Sequence, residues 1–367
     1  MEKILITVTA ISSISGVLAL LLSIANKTIA NYGEMKMVIN DEKEYTVDGG
    51  DTLLTTLVEN EIFIPSACGG KGSCGYCKVT VVEGGGQFLP TEAGYVTEEE
   101  QKEGVRLSCQ CKVKEDIKIA IPEELFNVRQ YDYRVAQINT VTEKIKHLHL
   151  DLPQGKEIQF KPGQYIQILT PTYKGNSEEV YRAYSIASSP SKTTGIELFI
   201  GYIPEGICTT FIHQFLKEKD KLTVVGPFGD FMYQETDREM VMGAIGTGMA
   251  PILSIIRHMY EHKIERKCTF FFSARTRKDL FMMDELLKYE SEMPNLTLRF
   301  SLTRPTPECN WDGDTGRIPQ VMDKYLDGDG NNMESYLCGS PIMIDAVTEV
   351  LLKKGIPEEQ IYYDKFS

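Results

Sequence analysis

The sequence is short of positive charge. Its 367 residues carry 39 lysines and arginines against 52 aspartates and glutamates, a net charge of −13. A surface of that sign repels a phosphate backbone, which excludes nucleic-acid binding. Histidine is scarce as well. The five, His147, His149, His213, His258 and His262, stand at no metal-ligand spacing and read as ordinary surface or core residues. An even, regular set of cysteines is also missing. There are nine, and five of them fall between 68 and 111. An odd, clustered set in a chain of this length is no disulfide framework, and it points to a metal and a reducing compartment. The remainder is ordinary, with 42% hydrophobic and 25% charged residues, as in a globular chain of two or three domains.

Charge is absent altogether from residues 4–25, "ILITVTAISSISGVLALLLSIA". As a helix this run is about 33 Å long, enough for a hydrocarbon core of about 30 Å. A cleaved signal peptide is the other reading, but its apolar core is about 7–15 residues long, shorter than this run. The reading adopted is a transmembrane anchor over residues 1–30. Lys27 and Lys36 follow the run and Lys3 precedes it, which leans toward a cytoplasmic C-terminal side.

The stretch "CGGKGSCGYC" (68–77) carries three cysteines and four glycines. Cys68-x5-Cys74-x2-Cys77, followed at a distance by Cys109, suits one [2Fe–2S] cluster, three ligands from one loop and the fourth from a remote segment. Gly69, Gly70, Gly72 and Gly75 allow the backbone conformations at positive φ that such a loop needs. The competing reading is structural zinc, which draws its ligands from two close pairs. Cys109-x-Cys111 is too tight for the second pair. Spacing alone leaves Cys109 or Cys111 as the fourth ligand. "RLSCQ" (106–110) resembles the ferredoxin segment with the last ligand, which selects Cys109 and leaves Cys111 as a core thiol. Around the loop, 35–62 reads as two strands and a helix beginning near Thr52, and "CKVTVVEGGG" and "CQCKVKEDIKIAIP" as two more strands. Together these give a β-grasp ferredoxin domain over 31–125.

From 130 to 233 the chain is β-rich and broken by glycine and proline, the pattern of an antiparallel barrel. "RAYS" (182–185) has the chemistry a flavin asks for: an arginine for the pyrophosphate, a tyrosine to stack on the ring, a serine hydroxyl near the reactive nitrogen. The turn at Gly206 opens a helical pattern with Thr209 and Thr210, ready for a phosphate. From 236 to 367 strands alternate with helices, which predicts a parallel sheet with its crevice at the strand C-termini. Gly246, Arg275 and Cys338 sit at such ends. Gly246 and Gly248 stand where a backbone approaches a pyrophosphate, and a helix starts near Met249.

The order of these modules resembles the ferredoxin–NADP reductase superfamily with a ferredoxin fused in front. With its N-terminal hydrophobic run, it is most similar to the F-subunit family of sodium-translocating NADH:quinone oxidoreductases. The segments that carry the resemblance are the four cysteines, "YRAYSIAS", "GPFGDF", "GTGMAP", "SARTRKDLF", "NWDGDTG", "CGSPIM" and the terminal "DKFS". It implies a multidomain α+β and α/β protein. NADH reduces FAD, single electrons pass to the [2Fe–2S] cluster, and integral membrane subunits of a quinone-reducing complex receive them, coupled to sodium translocation. It implies Arg182, Tyr184, Ser185, Gly206 and Thr209 for FAD, with Phe366 on the ring. Gly246, Gly248, Met249, Ala250 and Arg275 bind NADH. Ser185, Cys338 and Phe366 surround the reacting atoms, and Cys68, Cys74, Cys77 and Cys109 hold the cluster. It also implies a single-pass protein of the cytoplasmic membrane with its large C-terminal part in the cytoplasm. A flavin and iron–sulfur reductase serving another acceptor, such as an oxygenase, shares the module order but usually has a shorter first cysteine gap and no hydrophobic run. Arg275 and Arg277 leave NADPH open beside NADH. The chain departs from the family in having Cys111, "GSP" (339–341), a terminal "FS" and less sequence before its final strand.

Overall fold

The computed structural model describes residues 12, 14–19, 32–66, 68–326 and 330–366. Ser12 and residues 14–19 are helical and exposed, and the rest of the expected anchor lies outside the described residues. Among the described residues no helix is long and apolar enough to cross a membrane. The chain divides into two units, 1–127 and 128–367.

The first unit is a five-stranded mixed sheet with one main helix. Its strands are β1 (Glu34–Ile39), β2 (Lys43–Asp48), β3 (Lys78–Glu83), β4 (Val105–Leu107) and β5 (Ile117–Ala120), in the order β2-β1-β5-β3-β4. β1 and β5 run parallel and the other pairs antiparallel. Alternation buries Met37 and Ile39 from β1 and Ile117 and Ile119 from β5. Helix α1 (Leu53–Glu59) covers them with Leu53, Leu54 and Leu57. Thr52 starts it, its hydroxyl accepting from the Thr55 N–H at 3.2 Å. A short acidic helix, α2 (Glu98–Lys102), is closed by a capping box between Thr97 and Glu100.

The second unit begins with six antiparallel strands: β6 (Arg129–Thr142), β7 (Ile145–Asp151), β8 (Tyr165–Thr170), β9 (Val180–Ser185), β10 (Gly195–Gly201) and β11 (Lys221–Phe228). Their order is β10-β7-β6-β11-β8-β9. A bridge between Ile186 and Leu198 brings the end of β9 onto β10 and closes the barrel. Two register irregularities bend the long β6 so that it pairs with both neighbours. Leu148, Leu150, Ile166, Ile168, Leu198 and Val224 fill the interior. Between β10 and β11 lies α3 (Ile207–Thr210), a single turn that widens into a π-turn over Phe211–Phe215.

The rest of the unit is an all-parallel sheet of β12 (Glu239–Ile245), β13 (Cys268–Ala274), β14 (Leu296–Leu302), β15 (Asp314–Thr315), β16 (Met333–Gly339) and β17 (Ile361–Lys365), in the order β15-β14-β13-β12-β16-β17. Burial on both faces makes β12 and β13 read as near-continuous apolar runs. Met240, Met242 and Ala244 face α4 (Met249–Glu261) and α5 (Met283–Glu292), while Val241 faces α6 (Ile318–Tyr325) and α7 (Pro341–Lys353). The strand order reverses at β12 and β16, so the crevice of this sheet opens at their C-termini. Ile145 and Phe199 of the barrel join the α4 core, which locks barrel and sheet together.

Candidate functional site

The cysteine loop is held in shape by its own contacts. Gly72 sits at φ +71°, a conformation L side chains rarely adopt, and a Cβ there would lie 2.7 Å from the Gln110 amide nitrogen and push that side chain aside. Gly69, Gly70 and Gly75 also have positive φ, as the loop reading requires. The sulfurs of Cys68 and Cys74 lie 3.4 Å apart. Cys77 shares a hydrogen bond with Cys109, and the Gly72 N–H also reaches the Cys109 sulfur. The thiols therefore form two pairs, and among the described residues no three of the sulfurs gather within 4.8 Å of one another. A tetrahedral zinc needs its ligands in one group, whereas a two-iron cluster takes two thiolates on each iron, so the donor set fits [2Fe–2S]. One thiol of each pair is acidic. Burial of Cys68 is outweighed by hydrogen bonds from Ser73 and Cys74, bringing it to about 7. The bond with Cys77, against burial and with help from Gln110, brings Cys109 to about 6.

Cys109 is presented by a brace. Arg106 and Glu92 form a buried ion pair at 2.8 Å, and Glu92 also accepts from the N–H groups of Leu89 and Leu107. Arg106 donates to the carbonyls of Gly85 and Gln87. The Gln110 amide donates to the Cys109 sulfur at 3.6 Å and is oriented by Thr91 at 3.0 Å. Cys111 points away into the core, its thiol donating to the Gly85 carbonyl at 3.4 Å, and burial raises its pKa.

The second site lies where β9 meets the C-terminal ends of β12, β16 and β17. Tyr184 has a partly exposed ring, while its hydroxyl is buried against the Cys208 thiol. The Ser185 hydroxyl donates to Asp364 on β17 at 3.4 Å. Burial pushes the Asp364 carboxyl up to about 6 against that bond. Cys338 pairs with Asp364 across β16 and β17, and burial followed by the Asp364 charge holds its thiol protonated. Phe366 is partly buried, its N–H donating to Gly339 at 2.9 Å. Ser185, Cys338 and Phe366 are thus brought together. Arg182 stands two residues before Tyr184 on the same face of β9. Across from Ala183, Gln167 of β8 is buried and its amide nitrogen has no partner. A buried donor left open beside "RAYS" fits the polar edge of a flavin.

Gly246 and Gly248 form the turn from β12 into α4, and a Cβ on Gly248 would lie 2.3 Å from the Cys338 carbonyl oxygen. Met249 and Ala250 are buried in the core, so this turn offers backbone rather than their side chains. Arg275 is exposed at the end of β13. Gly206 caps the single turn α3. The Thr209 hydroxyl is spent inside that turn, donating to the Ile203 carbonyl at 3.0 Å and accepting from the Ile203 N–H at 3.2 Å. Sequence reasoning missed Gln167, which belongs to no motif, and the role of Asp364, which stands in the terminal "DKFS" but acts through Ser185 on a distant strand. It also missed that His147, His149 and Glu197 gather, their ligand atoms within 4.8 Å of one another. Their proximity comes from sheet register.

Three family models match along the chain: a 2Fe-2S iron-sulfur cluster binding domain over 37–114, an oxidoreductase FAD-binding domain over 132–233 and an oxidoreductase NAD-binding domain over 240–349. The F subunit of the Na(+)-translocating NADH-quinone reductase of Neisseria gonorrhoeae is 37% identical over 95% of this chain and 96% of its own length. Its counterpart in Idiomarina loihiensis is 37% identical over the full length of both. Among solved structures, a ferredoxin reductase of carbazole 1,9a-dioxygenase covers 91% of the chain at 25% identity and a TM-score of 0.69, with 99% of its own length matched. An Amycolatopsis cytochrome P450 reductase shares the fold over 90% of this chain and 98% of its own, at 21% identity and a TM-score of 0.73. With its thiols in two pairs, its barrel and its parallel sheet in the same order as relatives matched end to end, the chain belongs to the F-subunit family of Na(+)-translocating NADH-quinone reductases.

Proposed function

We propose that this chain is the electron-input component of a quinone-reducing complex, taking hydride from NADH and passing single electrons to partner subunits. The observation that carries the reading is the presence, on one chain, of two thiol pairs suited to [2Fe–2S] and a seam where Ser185, Cys338, Asp364 and Phe366 converge. When bound, FAD converts the two-electron donor NADH into single-electron supply for the cluster. The chain's own groups position these partners. The modules are 31–125 for the cluster, 130–233 for FAD and 236–367 for NADH. Arg182 would neutralise the FAD pyrophosphate and Tyr184 would stack on the ring. Asp364 fixes the Ser185 hydroxyl beside the reacting atoms. Phe366 would cover the ring, and Cys338 would stand by the nicotinamide as a neutral thiol. The Gly246–Gly248 turn and the backbone at Met249 and Ala250 meet the dinucleotide phosphates, and Arg275 meets its adenosine end. Gly206 and Thr209 shape the turn that faces the FAD phosphates. Cys68, Cys74, Cys77 and Cys109 hold the cluster.

The uncharged run at 4–25 anchors the chain in the cytoplasmic membrane as a single span, with 31–367 on the NADH side. Sodium translocation belongs to the partner subunits. Mild-detergent purification of the full-length chain from its native membranes, with mass spectrometry of what accompanies it, tests this. Several polytopic membrane subunits are expected. Recovery with a soluble oxygenase component, or alone, contradicts the proposal.

A further inference from the structure

His147 and His149 stand two apart on β7, so both face the same side of the barrel wall. Leu148 and Leu150, between and beyond them, point inward. Glu197 on β10 is the direct cross-strand partner of His149. Sheet register alone therefore gathers two imidazoles and a carboxylate on one outer face. Their positions are fixed before any ligand arrives. The His147 ring packs at 4.6 Å from Phe199 and at 4.2 Å from His149, and its Nε2 lies 3.1 Å from Glu197. His149 Nδ1 lies 3.8 Å from the other Glu197 oxygen.

We propose that His147, His149 and Glu197 form a binding site for a first-row divalent transition metal, with zinc as the ion that fits, where the barrel wall meets α4. Two imidazoles and one carboxylate are a zinc donor set that leaves a fourth position for water. Two cations also face Glu197. Arg257 from α4 holds one oxygen at 2.9 Å and is itself paired with Glu285 at 2.7 Å, which makes it an orienting group for the carboxylate. Lys192 reaches the other oxygen at 3.4 Å from a side chain that is 39% exposed. Metal entry displaces the Lys192 ammonium into solvent and takes that oxygen, leaving Arg257 in place. The ion then ties β7 to β10 and, through Arg257, the barrel to α4.

Zinc chloride titrated into EDTA-treated full-length protein, its flavin and cluster in place, tests this by calorimetry, thermal unfolding and zinc K-edge spectroscopy. One zinc per chain with a nitrogen and oxygen shell bearing imidazole is expected, together with a raised unfolding midpoint. His149→Ala, at the rim of the cluster, is expected to abolish both. Lys192→Ala is expected to tighten binding, because the competing cation is gone. A sulfur-only shell, or binding unchanged in His149→Ala, means adventitious zinc elsewhere on the chain and overturns the site.

Discussion

Cys109 and Cys111 differ in what surrounds them, although one residue separates them. Cys109 pairs with Cys77 and receives a hydrogen bond from Gln110, while Cys111 turns away and donates to the Gly85 carbonyl in the core. Cys109→Ala is therefore expected to abolish the cluster's EPR signal, and Cys111→Ala to leave it intact. Asp364 makes a second prediction at this scale. Its folded pKa of about 6 lies above its ordinary 3.8, so the folded state holds the proton more tightly than the unfolded one. Its contribution to stability is present below 3.8 and is lost as pH rises through about 6. Asp364→Asn is expected to flatten that stretch of the unfolding midpoint against pH and to raise the midpoint above neutrality. An unchanged profile in the variant contradicts the assignment. The cysteine loop was legible in the sequence because its ligands and glycines are local. Asp364 was not, since its partner Ser185 is 179 residues away.

Among the elements, the brace at β4 decides how Cys109 is presented. Removing Glu92 leaves Arg106 buried without its carboxylate, a loss of about 3–5 kcal/mol for a broken buried pair. Glu92→Ala is expected to lower the urea midpoint of the first unit and to bleach the cluster earlier than in the unaltered protein. A midpoint within error of the original contradicts this. Helix α1 was legible because Thr52 caps a run with Leu53, Leu54 and Leu57 at helical spacing. "CQCKVKEDIKIAIP" was expected as one strand, but only Ile117–Ala120 pairs. Its first part turns to offer Cys109, and the extra strand Val105–Leu107 precedes it. The pattern at 205–216 predicted a helix, yet it forms one turn and then widens. Hydrophobic periodicity reports a buried face but does not distinguish an α-turn from a π-turn.

For the whole molecule, module order was legible because period-2 stretches give way to strand–helix alternation, and each switch marks a new core. The histidine and glutamate cluster was not, because it depends on which residue of β10 lies opposite His149. One chain carries electrons from NADH through flavin to an iron–sulfur cluster. The direct test is an anaerobic NADH titration of purified full-length protein, followed by flavin absorbance and low-temperature EPR. Bleaching of one flavin and appearance of one reduced [2Fe–2S] signal per chain are expected, with Ser185→Ala slowing both together. A flavin that bleaches while the cluster stays oxidised, or a chain that binds no flavin, contradicts it.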